Sequence, residues 1–333
     1  MKKRLLQIVM SVALIWLLVT WTDFKQVREH LAGCNYYYFG LALCIVTLNR
    51  FIMSYKWNLL LRALDIRLHW WEPLKIYYIA NFLGLFLPPT IGVDVIRTYL
   101  TSKLHHDKAK IISSILVERI IGMVCIFFVG AMGLIYFIIN YSTQGNNFSG
   151  FLITSSSLFV IFLVGFLLSL NRRFSRLILS LLSTGSQNRL LRKGKQQLHH
   201  FFSTYITYHN QQKYLIVFVL LTLLEIFTVV VWGYVSALAL NAAIPFSYFL
   251  AVVPIVIVLI RIPISIAGFG VYEGGFAYFL SMLGYSKSIG FSIGILDHIV
   301  VLVALLPGIF FLLMSRERKM LLRATKQKNP PEI

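Results

Sequence analysis

Nine charged residues stand in or beside long apolar runs of this 333-residue chain: Arg50, Asp94, Arg97, Glu118, Arg119, Glu225, Arg261, Glu273 and Asp297. In hydrocarbon each central charge costs roughly 2.5–3.5 kcal/mol on insertion scales, so each must face a partner or a cavity. Spacing narrows the choice. Asp94 and Arg97 lie three apart and share a helical face, so they can pair locally. Glu118 and Arg119 are adjacent and point about 100° apart, so their partners must come from other elements.

Two of the charges follow a break. In LPPTIGVDVIRTYL (87–100), Pro88 and Pro89 end one helix and Gly92, Asp94 and Arg97 open the next. A fresh half-helix presents unpaired backbone N–H groups and a partial positive charge. Gly92 lets a ligand approach that backbone, the dipole stabilises Asp94 in the first turn, and Arg97 adds a fork suited to phosphate. The stretch RIPISIAGFGVYE repeats the chemistry with Arg261, Pro263, Gly268, Gly270 and Glu273. Arg50, Arg97, Arg119 and Arg261 are the arginines placed within apolar segments or at the breaks. Two half-helix ends with these arginines predict an anion site inside a membrane. The plainer reading is that the charges only staple helices together.

Other reactive strings carry less. GFSIG (290–294) matches the G-x-S-x-G of serine hydrolases, with His298 close behind. That motif needs a strand–turn–helix elbow, whereas this string lies in an apolar run. Ser292 and His298 would stand about 240° apart around a helix, and Gly290 and Gly294 read as a close helix–helix packing contact. Cys34, Cys44 and Cys125 lack metal or redox spacing, as do the pairs His105–His106 and His199–His200. Neither a metal nor a cofactor is expected, and no catalytic residue is assigned.

The elements that must position these residues are membrane helices. The chain is 58% apolar and only 13% charged, with a mean hydropathy of +0.76. Several runs approach or exceed the roughly 20 residues that span a hydrocarbon core. A net charge of +19 brings nucleic acid to mind, but no recognition fold accompanies it. Instead 25 of the 31 Lys/Arg fall in five clusters: Lys2–Arg4, Lys56–Lys75, Arg97–Lys110, Arg172–Lys213 and Arg316–Lys328. That bias places each cluster in the cytoplasm. The chain then crosses at 4–21, 36–61, 108–139, 151–170, 214–240 and 287–314. Segments 73–100 and 246–285 each begin and end on one side. Their halves, about 12 residues and about 18 Å long, are too short for a core of about 30 Å, and they read as re-entrant hairpins.

The units recur. The second helix, the hairpin proline and the closing helix return with offsets of 178, 174 and 176 residues, entering from opposite sides, as in an inverted repeat whose broken helices meet at midplane. The expected fold is all-α: a polytopic membrane helix bundle of six spanning helices plus two re-entrant hairpins, about eight membrane segments. Residues 1–333 form a single integral membrane domain. Within it, 36–139 is the first helix–hairpin–helix repeat and 214–314 the second, inverted one. A basic cytoplasmic loop (171–213) and a basic cytoplasmic tail (315–333) complete the chain.

Three strings in order, ANFLGLFLPPTIGVDVIR, ILVERIIGMV and PISIAGFGVYEGGF, resemble the transmembrane, flippase-like domain of the lysylphosphatidylglycerol synthase family. The family pattern is matched by Asn81, Pro88, Gly92, Asp94 and Arg97, by Glu118 and Arg119, and by Pro263, Gly268, Gly270 and Glu273. Lys56-Trp57, after the second helix, also fits. The resemblance implies movement of a lipid between leaflets and a substrate site built from these residues, Asn81 among them. Only 19 residues follow Met314, so a stand-alone member without the synthase domain is expected, and aminoacyl transfer is not.

The expected function is therefore a flippase-like transporter of an anionic lipid or lipid-linked headgroup, rather than an enzyme. Its partners would be membrane lipids (an anionic phospholipid or a polyprenyl-phosphate carrier) and a separate lipid or glycan synthase, with no nucleic acid. The expected location is the bacterial cytoplasmic (inner) membrane, with both termini cytoplasmic. A lipid-modifying membrane enzyme and a non-catalytic partner of a synthase are the alternatives. The topology is checked by labelling intact cells from outside: Gly145→Cys is expected to react and Gly185→Cys to stay protected.

Overall fold

The computed structural model describes residues 23–85, 91–141, 208, 211–261, 265 and 268–314. The expected helices at 4–21 and 151–170, most of the loop 171–213, the tail 315–333, and Pro88, Pro89 and Pro263 lie outside the described residues. Among those described, all regular structure is helical.

A nine-residue helix, α1 (Phe24–Ala32), opens the described chain; no helix was expected there. Asp23 starts it by accepting the backbone N–H of Lys25 at 3.0 Å and of Gln26 at 3.4 Å, the ordinary task of an N-cap carboxylate. Next, α2 (Tyr36–Ala63) is capped by Asn35, and Asp65, just past its end, takes a left-handed φ of 62°. Lys56 and Trp57 lie inside α2, not after it as expected.

Helices α3 (Trp71–Gly84) and α4 (Ile91–Leu104) have 14 residues each, about 21 Å. They pack against each other, with Gly84 so close to Val93 that a methyl group at Gly84 would strike it. Trp70 and Trp71 stack with ring centroids 4.6 Å apart and stay exposed at the start of α3. Tryptophans are enriched at such membrane–water boundaries. The long α5 (Lys108–Tyr141) follows.

The same order of lengths then recurs. Long α6 (Gln212–Ala239) leads to the shorter α7 (Phe246–Arg261) and α8 (Val271–Met282), then to α9 (Lys287–Ala304). The expected single helix 287–314 is interrupted at Leu305–Leu306 and resumes as α10 (Pro307–Met314). Pro307 lacks the N–H that would continue the ladder, and proline suits the first position of a new helix. By length and composition, four stretches among the described residues can cross a membrane: Tyr36–Ala63, Lys108–Gly133, Gln212–Ala239 and Lys287–Met314. None of α3, α4, α7 and α8 reaches that length.

Two cores flank the α2–α6 contact. Trp57, Leu61, Ile79, Leu100 and Ile111 join α2 through α5. Val230, Phe249, Val256, Phe276 and Ile293 join α6 through α9. Between them, Asn49 Nδ2 donates to Thr228 Oγ1 at 2.7 Å and to the Glu225 carbonyl at 3.2 Å.

The expected small-residue contact of Gly290 and Gly294 is present. A methyl group on Gly290 would lie 2.6 Å from the Phe276 carbonyl oxygen, and one on Gly294 would lie 2.6 Å from Glu273 Cα. Both obstacles are backbone, so they cannot swing aside. Gly294→Leu is expected to lower stability by about 1–3 kcal/mol or more through overpacking, read as a lower melting temperature of the detergent-purified protein.

Candidate functional site

Where α2 through α7 and α9 converge, they leave a cavity of about 310 Å³. Its charged lining comes from four helices. Arg50 and Lys56 project from α2, Asp94 and Arg97 from α4, Glu118 and Arg119 from α5, and Glu225 from α6. Tyr77 and Asn81 of α3, Ile260 of α7, Gly268 just before α8, and Val301 of α9 also line the cavity.

Arg97 is only 3% exposed, and its Nη2 meets Glu118 Oε2 at 2.5 Å. Its guanidinium also lies over the rings of Trp57 at 4.1 Å and Tyr77 at 4.9 Å, and an aromatic face stabilises a cation held this way. Trp57 is itself held by its indole N–H donating to Ser114 Oγ at 3.2 Å. One turn back on α4, Asp94 Oδ2 accepts from Arg119 Nε at 2.6 Å and from Arg119 Nη2 at 2.5 Å. The local Asp94–Arg97 pair anticipated from spacing is stretched to 4.0 Å. Both residues prefer α5, and the adjacent Glu118 and Arg119 find partners on another element, as their angular separation requires.

A third pair was missed. Lys56, counted in the sequence with a cytoplasmic basic cluster, is 3% exposed and bonded to Glu225. Its place within the apolar run 36–61 was the signal available. The residue left over is Arg50, midway along the 28-residue α2. Its Nη1 meets Met53 Sδ at 3.7 Å, and its buried Nε has no hydrogen-bond partner among the described residues. Among the described residues the cavity thus holds four cations against three carboxylates, and every carboxylate is paired.

Of the expected site residues, Arg50, Asn81, Asp94, Arg97, Glu118, Arg119 and Gly268 meet at this cavity. Asn81 spends its Nδ2 on the Tyr77 carbonyl at 2.8 Å. Gly92 is buried in the first turn of α4 and does not line the cavity. The prolines at 88, 89 and 263 and the side chain of Arg261 lie outside the described residues.

At the second break, Gly268 and Gly270 have φ of 82° and 83°, a left-handed conformation that glycine adopts freely. Gly270 caps α8, and its N–H donates to Glu273 Oε2 at 2.8 Å. The N-terminus of α8 is therefore engaged by its own carboxylate, unlike the open anion seat expected there. The other Glu273 oxygen, Oε1, lies 2.7 Å from His298 Nδ1, and Phe269 stacks on the His298 ring at 4.2 Å. Ser292 is fully buried and donates to the Ser288 carbonyl, apart from His298.

The profile of the lysylphosphatidylglycerol synthase TM region matches residues 4–308. No curated protein and no solved structure matches the chain.

Removing one member of a buried ion pair strands the other at a cost of about 3–5 kcal/mol. Arg97→Ala is expected to destabilise the protein by that order, whereas the joint change Arg97→Met with Glu118→Leu restores much of the loss. Arg119→Ala, at a more exposed pair, is expected to cost clearly less. Unfolding of each purified variant in detergent checks the ranking.

Proposed function

Because the chain belongs to the family of the lysylphosphatidylglycerol synthase TM region, we propose that this membrane protein of lipid metabolism moves an anionic lipid or lipid-linked headgroup between leaflets. The observation that carries the reading is Arg50, which among the described residues has no carboxylate partner in a cavity whose described carboxylates are all engaged. An isolated guanidinium in a poorly solvated site is costly, and an anion at about 4 Å recovers roughly 4 kcal/mol at an effective dielectric near 20. The arginine fork suits the oxygens of a phosphodiester or phosphate monoester. Arg119, part-exposed, lines the same cavity and offers a second contact once Asp94 yields.

Movement follows from the two pairs of short helices. Held as re-entrant hairpins, α3–α4 and α7–α8 bring broken ends to midplane, where the headgroup crosses. Contacts between α2 and α6 support an inverted repeat: Asn49 touches Glu225 and Thr228, separations of 176 and 179 residues. Those separations are close to the repeat offset, so equivalent positions meet near a pseudo-twofold axis. In this reading the chain is a transporter and not an enzyme. It sits in a bacterial inner membrane with cytoplasmic termini, and it serves a separate lipid or glycan synthase. Anionic phospholipids and polyprenyl phosphates share the recognised chemistry.

The test is reconstitution into phosphatidylcholine vesicles carrying fluorescent phosphatidylglycerol, with outer-leaflet probe quenched by dithionite. Arg50→Ala is expected to slow translocation at least tenfold without lowering the melting temperature. Arg50→Lys is expected to fall between, because a point charge loses the fork. Ser292→Ala is expected to match the parent. A parent protein that moves no lipid, or activity lost in Ser292→Ala alone, would overturn the proposal.

A further inference from the structure

One face of α2 carries a polar stripe that the cavity does not use. Ser54, Asn58 and Arg62 stand four residues apart, one above another over about 12 Å of helix. Arg50, Met53 and Lys56 turn instead into the cavity. The stripe lines a groove of about 470 Å³ between α2, the start of α3 and α6. Its other walls are apolar: Phe51 and Tyr55 of α2, Pro73 and Leu74 of α3, and Leu221 of α6. Among the described residues, groove and cavity share no lining side chain. Ser54 and Asn58 are only 3% and 4% exposed, and Asn58 Oδ1 has no hydrogen-bond partner among the described residues. A buried amide oxygen without a donor is costly, and a ligand in the groove offsets that cost.

At the C-terminal end of α2, Arg62 also lines a second hollow, of about 320 Å³, with Asp65, Arg67, Gln211 and Tyr214. The chain reverses there: Asp65 takes its left-handed φ, and the Ile66 N–H returns to the Leu61 carbonyl at 3.0 Å. Gln211 is brought to the hollow by Tyr208, whose hydroxyl donates to the Leu60 carbonyl at 3.0 Å and whose carbonyl accepts the Gln211 N–H at 2.9 Å. Trp70, exposed and stacked on Trp71, lines the groove as well. Such rings settle at the membrane–water boundary. Along α2 the order is therefore a polar hollow, an arginine at its mouth, a buried carboxamide, then an apolar trough. A phospholipid presents the same order with depth: headgroup, phosphate, glycerol esters, acyl chain.

We propose that groove and hollow together seat one anionic glycerophospholipid with a hydroxyl-bearing headgroup, on a face of α2 turned away from the cavity. The seat stands whether or not the cavity carries lipid. Arg62 and Arg67 take the phosphodiester. Asp65 and Gln211 accept from headgroup hydroxyls, and Asp65 disfavours a headgroup that adds further negative charge. One turn deeper, Asn58 accepts a hydroxyl at Oδ1 or, with its amide turned over, donates to an ester carbonyl. The acyl chain lies along Tyr55, Leu74 and Leu221. So placed, the lipid touches α2, α3 and α6 at once.

Phosphatidylglycerol, phosphatidic acid and phosphatidylcholine with diazirine-bearing acyl chains test the seat in vesicles holding the full chain, with crosslinks mapped by peptide mass. Phosphatidylglycerol is expected to label Phe51, Tyr55, Leu74 and Leu221 about fivefold more than phosphatidylcholine, the order one basic residue supplies. Phosphatidic acid is expected between them, and Asp65→Asn is expected to raise it to the level of phosphatidylglycerol. Arg62→Ala is expected to bring phosphatidylglycerol down to the yield of phosphatidylcholine. Asn58→Leu is expected to lower the phosphatidylglycerol yield about threefold. Arg62 is exposed, and Asn58→Leu removes a buried polar group without a partner, so both variants are expected to keep the parent's melting temperature. Equal yields from phosphatidylglycerol and phosphatidylcholine overturn the seat and make the groove an ordinary bilayer contact. A preference kept in Arg62→Ala also overturns it. Labelling confined to Met53, Ile126 and Ile260 of the cavity overturns the seat and leaves the transport reading standing. No labelling of the groove overturns it in favour of another segment of this chain, or a second copy, lying there.

Discussion

Arg97 and Glu118 decide how the first half of this protein can be assembled. A guanidinium with 3% exposure needs a carboxylate, and Glu118 supplies one from the next helix. That single contact fixes the register of α4 against α5. Trp57 and Tyr77, lying on the guanidinium, bring α2 and α3 to the same point. Four helices are thereby referred to one charged group. The Arg119–Asp94 pair and the Lys56–Glu225 pair extend the frame to α6, and the cavity is the space those pairs cannot close. A purely apolar seam would hold helices together with less positional discrimination; paired charges penalise every register except the one that neutralises them.

Much of this was legible in the chain. Apolar runs located α2, α5 and α6 to within two residues because a spanning helix must be both long and continuous. The charges on adjacent positions 118 and 119 announced partners elsewhere, since neighbours on a helix face different directions. Tertiary choices were not legible. Spacing offered Asp94 to Arg97, and only the approach of α5 provided each with a better partner. Lys56 looked like a surface residue because a count of basic residues is blind to depth. The capping role of Glu273 depends on two left-handed glycines that bend the chain back over it. The short α1 escaped notice because its sequence is polar, with Asp23 as its one local mark.

The two breaks also differ in what they ask of their surroundings. Around the cavity beside the first, every described carboxylate is matched by a lysine or an arginine. At the second, Glu273 is held between the His298 imidazole and the Gly270 N–H.

The surplus of one cation at the cavity bears on the membrane potential. Four cations and three carboxylates leave the described lining with one positive charge; a bound monoanion cancels it. If the protein moves lipid as proposed, a step that carries the loaded site across part of the bilayer does no electrical work, while the return of the empty site moves one charge. At about 2.3 kcal per mole of charge for each 100 mV traversed, voltage would then act on the resetting half of such a cycle and leave the passage of a monoanionic cargo untouched. A dianionic headgroup would leave the loaded site with one negative charge and the empty site still positive, so voltage would then act on both halves of the cycle.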